Sequence, residues 1–312
     1  MIDTSNYSPI HFSLNLPNWD EISRDWLELP ENITKTSSFF VPSNEVSFFN
    51  HINQKKHLNL VPIYSVLHNN LDPTDHLDIA QVDQFGNAIS AAFCPNNPKF
   101  IINLRSDFEF LCETPHIIGI QLENLEMPLL SRHLGCFCPY CHDLAQEKNI
   151  DLDHIARLLQ EKAHNGLNPR WIRKKFPQWV KFRTNSVSEL AGKLMVIIRQ
   201  KNPELFLGLN LHFSKTPEFK AQDYFFLALF LDILNYVIET DSKWVDTKKI
   251  RQIYTLSKTF LGDIKIFLQV KVPQQFNSHQ INDFLVHMQK YLFDGLIFEA
   301  SNLAEIKKLG MI

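Results

Sequence analysis

Short apolar runs of strand length recur along the chain and alternate with longer segments whose apolar residues return every three or four positions. Eight such runs stand out: "IHFSLNL" (10–16), "SSFFVP" (37–42), "LNLVPIYSVLH" (58–68), "IIGIQLE" (117–123), "LFLGLNLHF" (205–213), "ILNYVIET" (233–240), "IKIFLQVKV" (264–272) and "DGLIFEA" (294–300). Between them the spacing predicts helices over 43–56, 98–112, 152–164, 178–201, 241–260 and 278–291. Ser43 in "PSNE" is placed to cap the first, Pro98 opens the second where a missing N–H costs nothing, and Ser278 opens the last. Strand–helix alternation is the pattern of a parallel sheet, and eight units in 312 residues predict an α/β protein, a (β/α)8 TIM barrel forming a single domain over 1–312. No Gly-rich phosphate loop follows the first run, which argues against a dinucleotide-binding fold. The longest interruption, 127–177, is an insertion after strand 4 and carries three of the cysteines.

In such a barrel chemistry sits at the C-terminal strand ends, and inward side chains alternate with those facing the helices. If Ile118, Ile120 and Leu122 face the helices, Gln121 and Glu123 point inward. The same parity sends Asn235, Val237 and Glu239 inward on the sixth strand, and Gly295, Ile297 and Glu299 on the eighth. His68 on the third, Asn210 and His212 on the fifth, Gln269 and Lys271 on the seventh, and Asn15 on the first complete a polar cup. Converging carboxylates are costly to bury unless they pair with cations, accept hydrogen bonds or take raised pKa values, and a raised pKa is what a general acid requires. Lys271 is the nearest intramolecular counter-ion, and each glutamate has a plain structural reading as an ion-pair partner.

A formal charge of −3 with interspersed signs disfavours nucleic acid and membrane as partners. The start "MIDTSNYSPIHFSLNL" lacks a basic segment followed by an apolar one, and no run of eighteen apolar residues follows. Five cysteines, three within six residues, suit a reducing compartment, so a cytoplasmic protein is expected. Most of the 25 phenylalanines belong to the core, and "RWIRKK" (170–175) reads as a solvated helix face before it reads as a phosphate site.

The segments "VPIYSVLHNN", "DIAQVDQFGN", "FCPNNPKF", "GIQLENLEMP" and "CFCPYCHDLAQEKNID", with "WVKFRTNSV" and "AQDYFFLALFLDIL" beyond, resemble a group of barrel proteins related to glycoside hydrolases and largely of uncharacterised function. In that group a "GvhlD" strand is followed by a "CfCphC" cluster. The chain is more distantly similar to the family 42 β-galactosidases, whose strand "GFQxDNE" ends in the acid/base glutamate before a "CyCpxC" zinc cluster. An ungapped alignment places Leu125 at that glutamate, with Glu126 one residue on and Glu123 two before, and Gln269 and Lys271 on the strand that supplies the nucleophile there. The resemblance implies a TIM barrel acting on a carbohydrate or glycoconjugate. Glycoside hydrolysis needs two carboxyl groups flanking the bond, one protonated to assist departure and one ionised. Glu123 or Glu126 is the expected acid/base and Glu239 the opposing carboxylate. His68, Asn69, Asn210, His212, Lys271 and Glu299 are expected to position substrate, Asp83 to bond sugar hydroxyls, and Asp223 either to do the same or to cap a helix.

Cys138-Pro139-Tyr140-Cys141 alone is a glutaredoxin-like dithiol, but Cys136 adds a third sulfur inside a barrel loop. A structural zinc needs four ligands. Cys112 falls at the far end of its helix, whereas Cys94 lies in the top loop before Pro98, beside the cluster. Cys94, Cys136, Cys138 and Cys141 are therefore the expected ligands, as the family 42 resemblance also implies, with His133 and His142 as alternatives for the fourth and reduced free thiols as the metal-free reading. Such a closed site would brace the loop and would not activate water; no organic cofactor is expected. The hydrolase reading competes with an inactive carbohydrate-binding or scaffold barrel, and with acid/base chemistry on another small molecule.

Overall fold

The computed structural model describes residues 10–14, 37–45, 58–68, 77–127, 134–164, 166–212, 214, 216–238, 247–271, 278–288 and 290–300. Its strands are β1 (Ile10–Leu14), β2 (Ser38–Pro42), β3 (Asn59–Ser65), β4 (Ala80–Val82), β5 (Ala88–Phe93), β6 (Gly119–Glu123), β7 (Phe206–His212), β8 (Ile233–Ile238), β9 (Lys265–Lys271) and β10 (Gly295–Ala300). Eight of them close a parallel barrel in the order β1-β10-β9-β8-β7-β6-β3-β2, which are the eight predicted runs. The remaining two, β4 and β5, form an antiparallel hairpin where the sequence pattern predicts no strand. Its turn is built by Asp83, whose Oδ1 accepts from the N–H groups of Phe85 and Asn87 at 2.9 Å each, while Gly86 supplies the positive φ of 84°.

The helices are α1 (Pro98–Glu113), α2 (Pro139–Glu147), α3 (Leu152–Ala163), α4 (Pro169–Lys175), α5 (Pro177–Lys201), α6 (Tyr224–Ala228), α7 (Thr247–Phe260) and α8 (Ser278–Met288). Asn97 caps α1, its Oδ1 accepting from Lys99 and Phe100, and Asp151 caps α3 through His154. Asp223 is a helix cap as well, accepting from Phe225 and Phe226 at 3.1 Å. Ser43 opens only a 3-10 turn, Ser43–Glu45, and the remainder of the helix expected over 43–56 lies outside the described residues. The basic cluster of 170–175 forms α4, with Arg173 paired to Glu218 at its surface.

Strand parity separates two cores. Leu60, Ile120, Leu122, Leu209, Tyr236, Leu268 and Phe298 pack outward against Phe108, Leu190, Leu194 and Ile253 of the helices. Phe40, Val61, Ile233, Phe267 and Ile297 fill the barrel. Ile118 departs from the expected parity: it precedes β6 and packs against the interior cluster, while Ile117 joins the outer one. Interior volume is balanced by pairing large side chains with glycine on the neighbouring strand. A Cβ on Gly119 would meet the Phe206 ring at 2.4 Å, one on Gly295 the Phe267 ring at 2.9 Å, and one on Gly208 the Gln121 Oε1 at 2.1 Å. A third cluster gathers Cys94, Cys136, Cys138 and Cys141 with Leu152, Ile155, Leu159, Ile172, Trp179 and Phe219, so the insertion has its own apolar core.

Because Gln121 is fully buried and bonded to Asn210, it has nowhere to swing when crowded. Gly208→Ala is expected to destabilise the fold by about 1–3 kcal/mol, read as a lower urea midpoint at unchanged slope.

Candidate active site and thiolate cluster

Above the apolar interior, four buried amide side chains on consecutive strands form a hydrogen-bonded belt. Gln121 Nε2 donates to Asn210 Oδ1 at 2.9 Å, and Asn235 Nδ2 donates both to Asn210 Oδ1 at 2.7 Å and to Gln269 Oε1 at 2.8 Å. With its oxygen taken twice, Asn210 turns its amide nitrogen toward Glu123, the residue closing β6. Glu123 shares the mouth with His212 of β7 and Glu299 of β10. Burial, the largest influence, pushes its carboxyl above the usual carboxylate range; Asn210 and His212 pull against that, and the Glu299 charge adds to it. The backbone turns immediately after Glu123, where Asn124 takes a left-handed φ of 52° that asparagine tolerates and its Nδ2 bonds Ser65 Oγ at 2.9 Å.

Glu126 stands apart from this group. Lys220 holds it through both carboxylate oxygens, at 2.9 and 3.1 Å, and Lys220 O accepts from Met127 N–H at 2.8 Å. Gln222 Nε2 adds a bond to Leu125 O at 3.2 Å. The loop after β6 is thereby tied to the turn after β7. His68 reaches the same loop, its Nε2 3.2 Å from Glu126 O, and burial draws its pKa down. Asp83 is buried in the hairpin turn rather than presented to the mouth. Lys271 ends β9 in register with Glu299. Glu239, Asn69, Asn15 and His133 lie outside the described residues.

The four expected cysteines converge. Cys94, Cys136, Cys138 and Cys141 are buried with their sulfurs all within 4.8 Å of one another, two pairs being 3.4 and 3.6 Å apart. A tetrahedral zinc with bonds of about 2.3 Å would set its sulfurs roughly 3.8 Å apart, so the donor set fits such an ion with little adjustment. Cys94 comes from the end of the β4–β5 hairpin, Cys138 from the N-cap of α2 and Cys141 from its first turn. Val82 N–H points at Cys136 Sγ at 3.4 Å and Asn96 Nδ2 at Cys141 Sγ at 3.3 Å, the donors that thiolate ligands take. Cys136 and the other sulfurs draw the Cys138 thiol far down and push those of Cys94 and Cys141 up, since thiols crowded this closely cannot all ionise without a cation among them. Cys112 packs on α1 in the outer core, and His142 turns to Asp153, so neither joins the cluster.

Three participants escaped the sequence reading. Lys220 is 94 positions from Glu126 and carries no local signal. Asn96 sits between Cys94 and the α1 cap as one polar loop residue among several. Arg183 did leave a trace: it falls at helical spacing between Trp179 and Val187, a charge on an otherwise apolar face. It is wholly buried, 5.1 Å from the Trp179 ring, and burial draws its guanidinium down to about 10 while Cys136 and Cys141 oppose that.

Among the described residues no helix is long and apolar enough to cross a membrane. No family model matches the chain, and no curated protein matches it. Solved structures do. The catalytic domain of a β-amylase from Paenibacillus polymyxa superposes with a TM-score of 0.61 at 12% identity, over 93% of this chain and 91% of that one. A cold-adapted β-galactosidase from Rahnella sp. R3 gives 0.63 at 12% identity, over 94% and 50%, and the GH42 β-galactosidase Gan42B gives 0.63 at 12%, over 94% and 51%. The chain thus spans about half the length of the β-galactosidases it matches. At this identity the likeness is one of fold, a TIM barrel.

Proposed function

We propose that the protein is a glycoside hydrolase acting on a carbohydrate or glycoconjugate at the C-terminal barrel face, with Glu123 as the general acid. The observation that carries this reading is the environment of Glu123, a carboxyl whose pKa burial raises, at the mouth of a barrel, beside a second carboxylate and held by an amide of fixed orientation. A protonated carboxyl at this position gives its proton to the glycosidic oxygen as the bond to the sugar breaks. An ionised carboxylate across the mouth then meets the electron-poor sugar carbon, directly or through a water; Glu239 is our choice for it. The neighbouring Glu299 carboxylate acts on Glu123 in the sense that favours its proton. In this scheme His212 and Asn210 orient Glu123, and His68, Asn69 and Lys271 are assigned to substrate binding. Glu126, ion-paired to Lys220, holds the loop in this scheme and is the lesser candidate for the acid.

We also propose that Cys94, Cys136, Cys138 and Cys141 hold a structural zinc, which would fasten the β4–β5 hairpin to the insertion and leave no position for water. Four reduced thiols in one site suit the cytoplasm. A dithiol redox role is disfavoured by the burial of all four sulfurs.

One observation favours a barrel that binds sugar without cleaving it. The interior of β9, the strand that carries the nucleophile in the family 42 enzymes, offers Gln269, and Asn235 engages it within the amide belt. Turnover of a panel of oligosaccharides separates the readings. Glu123→Gln is expected to lower kcat on a cleaved member by about 10²–10⁴-fold with KM little changed, and Glu126→Gln to leave kcat within about threefold. Binding without cleavage by the unaltered protein would establish the inactive barrel.

The pH profile has a definite sign. Glu123 acts protonated, so kcat/KM falls on the alkaline side as it ionises, and Glu299→Gln removes a charge that favours the proton. The alkaline limb of the variant is expected at lower pH than that of the unaltered protein; an unmoved limb would separate Glu299 from Glu123. For the metal, one zinc per chain is expected by elemental analysis of protein purified under reducing conditions. Its removal by a chelator should lower Tm, with zinc restoring it.

A further inference from the structure

Helix α5 covers the sulfur cluster with the face that carries Trp179, Arg183 and Ser186. The Trp179 ring packs on that of Phe137, centroids 5.6 Å apart, between Cys136 and Cys138 in sequence. Ser186 Oγ accepts from Asn96 Nδ2 at 3.0 Å, the same nitrogen that approaches Cys141 Sγ. Arg183 lies one turn before Ser186, fully removed from solvent. Its Nη1 donates to Phe219 O at 3.2 Å, while Nε and Nη2 have no hydrogen-bond partner among the described residues. A buried guanidinium with two idle nitrogens is costly to keep unless an opposite charge stands nearby. Among the described residues, Cys136 and Cys141 act on it electrostatically in the attractive sense.

A divalent cation bound by four thiolates carries two net negative charges into an apolar core, which raises the matching problem from the other side. We infer that Arg183 is the fixed counter-charge of the metal–thiolate centre, its wholly buried guanidinium offsetting the charge of the cluster from helix α5 while Asn96 and the Val82 N–H bond individual sulfurs. Arg183 is a positioning residue that touches neither substrate nor metal. The inference rests on the reading of the four cysteines as a divalent metal site. It also explains a choice that packing alone does not: a methionine would fill the same space beside Trp179 at no electrostatic cost.

The two costs cancel only when both charges are present, so the effect of removing Arg183 should depend on the metal. The test uses the full chain as wild type, Arg183→Met and Arg183→Lys, each titrated with zinc against a chromophoric chelator and melted with and without zinc. Wild type and Arg183→Lys are expected to bind one zinc with affinities within a few fold, and Arg183→Met to lose zinc about 10–100-fold more readily. Without zinc, Arg183→Met should melt at or above the wild-type temperature, because a lone buried charge has been removed. Equal zinc affinity of Arg183→Met and wild type overturns the inference, as does an Arg183→Lys loss matching that of Arg183→Met. If Arg183→Met does not fold, Arg183→Lys decides by retaining zinc within a few fold or failing to. Wild-type protein that binds no zinc would instead defeat the metal reading itself, and the inference with it.

Discussion

Asn210 Oδ1 accepts two hydrogen bonds inside the barrel, from Gln121 on one neighbouring strand and Asn235 on the other, and the arrangement of the mouth follows from it. An amide whose oxygen is spoken for can only donate upward, and the group above it is Glu123. The belt is buried, so each bond is made in a low dielectric where a missing partner is expensive. Room for Gln121 exists because Gly208 faces it without a Cβ. Small interior residues, a rigid amide belt and a half-buried carboxyl with a raised pKa are thus one construction, and the acid chemistry we propose would depend on its lowest layer.

A second construction holds the rim. The loop after β6 is clamped by the Glu126–Lys220 ion pair and by backbone and amide bonds to the 217–222 segment. The insertion beyond it is organised around the four cysteine sulfurs, with a core of its own made by α3, α4 and α5. Both features lie on the side of the barrel that carries Glu123. Side chains held by packing and by a second layer of hydrogen bonds keep the precise placement that catalysis requires. The cost of burying charge there is met locally, by Lys220 at the rim and by Arg183 in the insertion core.

The barrel was readable because its strands are buried on both faces and appear as short, predominantly apolar runs, which is why eight of them match the closed sheet. Parity carried further than composition: it sent Gln121, Glu123, Asn210, Asn235 and Gln269 to the interior, where Gln121, Asn210, Asn235 and Gln269 form the belt. It failed at Ile118, where the strand had not yet begun. The hairpin was missed because β4 has three residues, too few to show alternation, and α2, α4 and α6 because nine, seven and five residues barely establish a helical period. Cys94 is legible in the sequence because its loop falls at the same end of the barrel as the cluster. Glu123 and Glu126 could not be told apart from sequence, since the difference is made by Lys220, a residue distant in the chain.

On the proposed reading a sugar sits over Glu123 in a mouth framed by Glu299 and His212. A crystal structure of Glu123→Gln soaked with a mixed panel of mono- and disaccharides tests it most directly. Sugar density is expected with a glycosidic or anomeric oxygen within hydrogen-bonding distance of residue 123 and an ordered belt beneath it. A mouth without sugar, with the strand-end glutamates drawn into ion pairs with Lys271, would contradict it.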